Sequence, residues 1–186
     1  MCIRDRSIST ISLLLLLLLL EFRYLRWSTS GSTINAGTHF VELKIFTNNG
    51  TNIVTPATPI SIITSNKDVS SDHSLSNIND NNIDTNEYFC TTPDGSTTIE
   101  VDLGSIVKTI ASVKFWHYYL DSRTYYNVEL MVSKDGIRWQ QIYGPIDTLA
   151  TAEGTEILLS TLDPILPNYI IPVSYTHLTL PTKRIV

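Results

Sequence analysis

From Phe22 onward, apolar and polar side chains alternate in short bursts with a period of two, the spacing of half-buried strands rather than of helices. The clearest case runs from Ile110 to Trp139. Ala111, Val113 and Phe115 share one face there, with Ser112 and Lys114 on the other, and Val128, Leu130 and Val132 alternate with Asn127, Glu129 and Met131. Lys134-Asp135-Gly136 supplies a positive-φ hairpin turn, after which Ile137 and Trp139 restart the alternation. Upstream, Tyr24–Trp27 reads as a short strand and His39–Phe46 as a second, with Val41, Leu43 and Ile45 as its apolar face. Thr51–Thr64 is β-branched but interrupted by Pro56 and Pro59, which suits an edge strand or a ragged connection. Ile99, Val101 and Leu103 point inward from a strand that Gly104-Ser105 breaks. Gln140–Tyr143 forms a strand ended by Gly144-Pro145, and Thr155–Leu159 adds one more. About seven or eight short strands without convincing helical periodicity predict an all-β fold, a two-sheet sandwich or jelly roll.

The polar stretches refine this picture. Ser65–Asp84 is rich in Ser, Asn and Asp, and its Asx-rich end has the chemistry of a cation-binding loop. Tyr88–Cys90 is a short apolar island, and Pro93-Asp94-Gly95 a turn. Cys2 lies in the leader, so Cys90 has no partner for an internal disulfide and reads as a small packed residue.

The chain has 186 residues and a formal charge of −5, an acidic balance that argues against a nucleic-acid partner. MCIRDR at the start and PVSYTHLTLPTKRIV at the finish resemble translated sequencing-adapter text. Setting these aside leaves nine basic and seventeen acidic residues, a formal charge of −8. Ser7–Leu20 resembles the apolar region of a signal peptide but is short for a membrane span of about 20 residues, and no small-residue cleavage site follows. It reads either as a signal or as low-complexity text. The organisation expected is a leader and poly-Leu segment over 1–21, one β-sandwich over 22–165, and a tail over 166–186.

Three pieces occur in order: Ile99-Glu100-Val101-Asp102-Leu103-Gly104, Ile110–Trp116, and Val132-Ser133-Lys134-Asp135-Gly136-Ile137-Arg138-Trp139. Together they resemble the galactose-binding-like, discoidin (coagulation factor type C) domains, with wording closest to phage tail-fibre and bacterial surface versions. The resemblance covers about residues 24–160. It implies an eight-stranded jelly roll that binds glycans or cell surfaces without catalysis, with Trp139 as an apolar anchor of the interior. It also implies a structural calcium ion at a loop matched here by Asp80-Asn81-Asn82-Ile83-Asp84-Thr85, with Asp80, Asn82, Asp84 and Thr85 as ligands and Asn81 where the family prefers glycine. The family's closing hairpin matches Arg23–Arg26 with His39–Leu43, which makes Glu42 the completing carboxylate. That hairpin stands at the beginning of this chain, either as the domain's own first element in rotated order, the reading favoured here, or as the end of a preceding domain.

The connection between the two strands of the 110–139 stretch carries His117, Tyr118, Tyr119, Asp121, Arg123, Tyr125 and Tyr126, aromatics for stacking and charged groups for hydroxyl recognition, and a ligand surface is expected there on His117, Tyr119, Asp121, Arg123 and Tyr125. The competing expectation packs these aromatics into the sheets and leaves Asp121 and Arg123 to brace a turn. No nucleophile elbow, phosphate loop or zinc spacing is present, so an enzyme is not expected. The functional expectation is a carbohydrate- or cell-surface-binding module within a larger adhesin or tail-fibre-like protein, extracellular or on a virion. A purely structural spacer is the alternative. Acidic loops argue against membrane docking.

Overall fold

The computed structural model describes residues 20–63, 67–69, 73–93 and 96–159. The poly-Leu run up to residue 19, the Asp94-Gly95 turn and the C-terminal tail lie outside these residues. Ten strands form two five-stranded antiparallel sheets, packed face to face as a β-sandwich. The strands are β1 (Phe22–Thr29), β2 (Thr38–Thr47), β3 (Ile60–Ile62), β4 (Lys67–Val69), β5 (Phe89–Pro93), β6 (Thr97–Val107), β7 (Ile110–His117), β8 (Thr124–Ser133), β9 (Gln140–Leu149) and β10 (Thr155–Leu158). One sheet runs β3-β6-β1-β8-β9, the other β10-β7-β2-β5-β4. Strands β1 and β2 sit at the centres of their sheets, β1 hydrogen-bonded to β6 and β8 and β2 to β5 and β7. The expected hairpin of Arg23–Arg26 with His39–Leu43 is therefore not formed: the two strands do not pair with each other but lie at the centres of opposite sheets.

Alternation explains the interior. Leu25 and Trp27 of β1, Ile99 and Val101 of β6, and Val128, Leu130 and Val132 of β8 face Leu43 and Ile45 of β2 and Val113 and Phe115 of β7 in one apolar cluster. Trp27 is its hub. Its ring meets Phe40 edge-on at 4.6 Å between centroids and Phe115 at 5.0 Å. Such aromatic contacts contribute about 0.5–1.5 kcal/mol beyond the area they bury. Fully buried hydroxyls of Thr38, Thr91 and Thr97 bond to one another and join β2 and β5 of one sheet to β6 of the other.

Four departures from simple alternation have local causes. The β2–β7 register shifts between Phe40 and Glu42, so Phe40 joins the core although the period places it opposite Leu43. β6 runs through Gly104 instead of ending there, because Gly104 takes φ +77° and the β1–β6 register shifts at the same level. β9 likewise continues through Gly144, at φ +70°, with irregular pairing to β8. Trp139 is not an interior anchor. It is half-buried, covered by the Arg26 guanidinium at 3.8 Å and donating from Nε1 to the Gly136 carbonyl, while Ile137 on the same turn is 82% exposed. The Asp135-Gly136 turn itself forms as expected, with Gly136 at φ +73°. The edge reading of 51–64 holds too, since β3 is an outer strand.

Candidate functional site: a loop-end cluster and a buried carboxylate

Residues 79–87 form a wound loop held by short polar side chains. Asp80 Oδ1 accepts from the Asn82 N–H at 2.8 Å, Asn82 Oδ1 from the Asp84 N–H at 2.9 Å, and Asp84 Oδ1 from the Asn86 N–H at 2.9 Å. Asn79 anchors the loop by donating to the carbonyls of Thr55 and Thr58. Asn81 lies at φ +70°, the left-handed conformation that Asn tolerates and glycine would take freely.

Glu42 stands against this loop. Its carboxylate is fully buried, and neither oxygen has a hydrogen-bond partner. Burial pushes its pKa up to about 8; Lys44 opposes the shift, and the neighbouring Asp80 carboxylate reinforces it. Two carboxyl groups, Glu42 and Asp80, thus converge beside the loop, with burial outweighing the opposing charge of Lys44. Thr85 is buried nearby in sequence, whereas Asp84 is exposed and the side-chain oxygens of Asn82 and Asp84 are used to wind the loop. No group of three or more His, Cys, Asp or Glu that could hold a metal ion occurs among the described residues, so a cation here would need carbonyl and hydroxyl oxygens besides Glu42 and Asp80.

Beside the loop lies a second cluster. Arg123 is buried and grips Asp121 with two nitrogens, Nε to Oδ1 at 2.7 Å and Nη2 to Oδ2. The pair lowers the Asp121 pKa and raises that of Arg123. Arg123 Nη1 donates to His39 Nδ1 at 3.2 Å, and the Tyr125 hydroxyl donates to the same nitrogen at 3.0 Å. Nδ1 of His39 is therefore an acceptor and the ring is neutral. Burial and the Arg123 charge agree, taking its pKa down to about 4. Around this polar base stand half-buried rings: Tyr118, over which the guanidinium lies at 4.8 Å; Tyr88, 5.7 Å from Tyr118; and His73, stacked on Tyr88 at 4.0 Å. Gly37 makes room for the cluster, since a Cβ there would come within 2.9 Å of the His39 ring.

The five expected ligand residues divide. Asp121 and Arg123 form the base of the cluster. Tyr119 packs partly on the core and sends its hydroxyl to the Ile83 carbonyl at 3.3 Å, tying the two clusters together. Tyr125 and His117 lie in the interior, stacked on each other at 4.0 Å. His117 donates from Nδ1 to the His39 carbonyl at 2.8 Å. Burial lowers its pKa to about 3, and Nε2 is left without a partner. These two rings support the site from below. Tyr118, one of the aromatics of that connection, joins the cluster, as do His39, Tyr88 and His73, which were not among the expected residues. His39 opens the alternating β2 and Tyr88 opens the apolar island, so both carried a signal of placement but none of convergence. Comparison with known family models, curated proteins and solved structures finds no match.

Proposed function

We propose that this chain is a non-catalytic carbohydrate- or cell-surface-binding sandwich of the galactose-binding-like, discoidin type, with jelly-roll connectivity, acting as one part of a larger extracellular or virion-surface protein. The observation that carries this reading is the Arg123–Asp121 pair seated among Tyr118, Tyr88 and His73 at one end of the sheets. With its charge balanced by Asp121, Arg123 gives no net attraction for anions. The accessible part of Asp121 can accept from hydroxyls while the rings offer faces to a sugar's C–H surface. Neutral saccharides match that combination.

Calcium fits the same reading as a structural ion between Glu42 and Asp80, completed by Thr85 and loop carbonyls. The support is the unpartnered buried carboxylate. Asn82 and Asp84 are assigned to shaping the loop.

A glycan array probed with the full chain, in calcium and in chelator, tests the proposal. Binding that disappears in Tyr118→Ala and Asp121→Asn supports it. Absence of any bound glycan in both conditions rejects it.

A further inference from the structure

The outer face of the β3-β6-β1-β8-β9 sheet carries a second built surface, away from the loop-end cluster. Alternation turns Arg26 and Ser28 of β1 outward between the buried Leu25, Trp27 and Thr29, and does the same for Thr98 and Glu100 of β6 and for Glu129 and Met131 of β8. Register aligns them in rows across three strands. Thr98, Ser28 and Glu129 form one row, and Glu100, Arg26 and Met131 the next, about 6.8 Å further along the strands. Ile63 beyond β3 and Pro145 on β9 rise at the two sides, leaving an open trough of about 520 Å³, within the roughly 300–1,000 Å³ range of ligand sites.

The floor is pre-arranged. Arg26 is fixed from two directions, by its Nε bond to Glu100 at 3.0 Å and by stacking on Trp139 at 3.8 Å, and this leaves its terminal nitrogens as further donors. Ser28 and Thr98 share a hydroxyl bond of 2.8 Å. The Glu129 carboxylate makes no hydrogen bond or ion pair among the described residues, although it sits in the middle of the sheet with part of its surface covered. Asn127 extends the polar strip toward Ser30, to which its side-chain amide donates at 3.0 Å.

We infer that this trough is a second binding site, for a neutral oligosaccharide chain lying across the sheet. The charge pattern selects the occupant. An anion would meet Glu129, and Arg26, its charge balanced by Glu100, offers donors without a net positive field, so a chain of hydroxyls can donate to Glu129 and accept from Arg26. Met131, Ile63 and Pro145 supply the apolar contacts that sugar ring faces need. A peptide adding itself as a strand requires a free edge, and this surface is a sheet face whose backbone groups are already paired. The inference does not depend on the loop-end cluster binding a glycan.

The test is amide chemical-shift mapping on the full chain titrated with neutral hexasaccharides derived from β-glucan, xylan, galactan and chitin. Shifts centred on Arg26, Ser28, Thr98 and Glu129 are expected with at least one of them. Glu129→Gln should weaken that binding about tenfold while leaving the spectrum of the rest of the sandwich intact. Tyr118→Ala should leave the trough shifts in place, which separates the two sites. Shifts confined to Tyr88, Tyr118 and Arg123, trough shifts produced only by a Lys-rich control peptide, or unchanged affinity in a folded Glu129→Gln protein would each overturn the inference.

Discussion

Glu42 is the residue whose placement has the largest chemical consequence. A buried carboxylate without partners is costly as an anion, so burial pushes its pKa up to about 8 and, in the absence of a cation, it holds a proton near neutral pH. A cation bound there must displace that proton, and its affinity must therefore rise with pH. Glu42→Gln keeps the shape and removes both the acid and the anionic ligand. It should bring the melting temperature in chelator close to, or above, that of the parent at pH 8, and it should abolish the calcium-dependent rise in melting temperature that the proposed site predicts for the parent. Calorimetry at fixed calcium concentration decides. A calcium-dependent shift that persists in Glu42→Gln would remove Glu42 from the cation site.

At the scale of elements, the sandwich depends on places where strands depart from regularity. Gly144 holds φ +70°, and a Cβ there would overlap the Val128 carbonyl across the β8–β9 ladder. Gly144→Ala should therefore destabilise the fold by at least about 2–3 kcal/mol, since both positive φ and a backbone collision oppose it; urea unfolding measures this. The Thr38–Thr91–Thr97 hydroxyl cluster is a second joint, and Thr91→Val should cost about 1–3 kcal/mol by leaving its buried neighbours short of a partner. An unchanged urea midpoint would mean that the cluster contributes nothing net. These joints also mark the limit of what the chain reveals unaided. Val128, Leu130 and Val132 are legible because a period of two maps directly onto burial. The register shifts at Phe40/Glu42 and near Gly104 are not, because one extra residue reverses the faces without altering composition. Gly104 and Gly144 signalled a departure, and only tertiary pairing decided that each bends a strand instead of ending it. Trp139 failed as an interior anchor for a related reason: the turn before it sets its direction, and Arg26 across the sheet covers its face.

Across the whole molecule, the loop-end cluster was half legible. Asp121 and Arg123 stand two residues apart, whereas His39 reaches Arg123 across 84 residues, and only the sandwich's topology brings them together. The same topology perturbs Glu42, His39 and His117 with opposite pH demands, and between about pH 5 and 8 these three together shape the stability profile. Glu42 has its folded pKa raised from 4.5 to about 8, so the stability tied to its protonated form is present below about pH 4.5 and is lost as pH rises through 8. His39 and His117 are lowered from 6.5 to about 4 and about 3; their contribution is present above 6.5 and is lost as pH falls through those values. Above pH 6.5 the glutamate dominates and stability declines. Below it the two histidines outweigh the single carboxyl, and stability declines in the other direction. The cation-free chain should therefore be most stable at about pH 6.5, the point where proton uptake by the two unfolded histidines balances proton release by one unfolded glutamate. Glu42→Gln should erase the alkaline limb and turn the maximum into a plateau. On the proposed calcium site, saturating calcium would hold Glu42 ionised and should have the same effect on the parent. Urea midpoints of the parent and of Glu42→Gln, measured in chelator from pH 5 to 9, test the balance; parallel curves for the two proteins would show that Glu42 does not carry the alkaline limb.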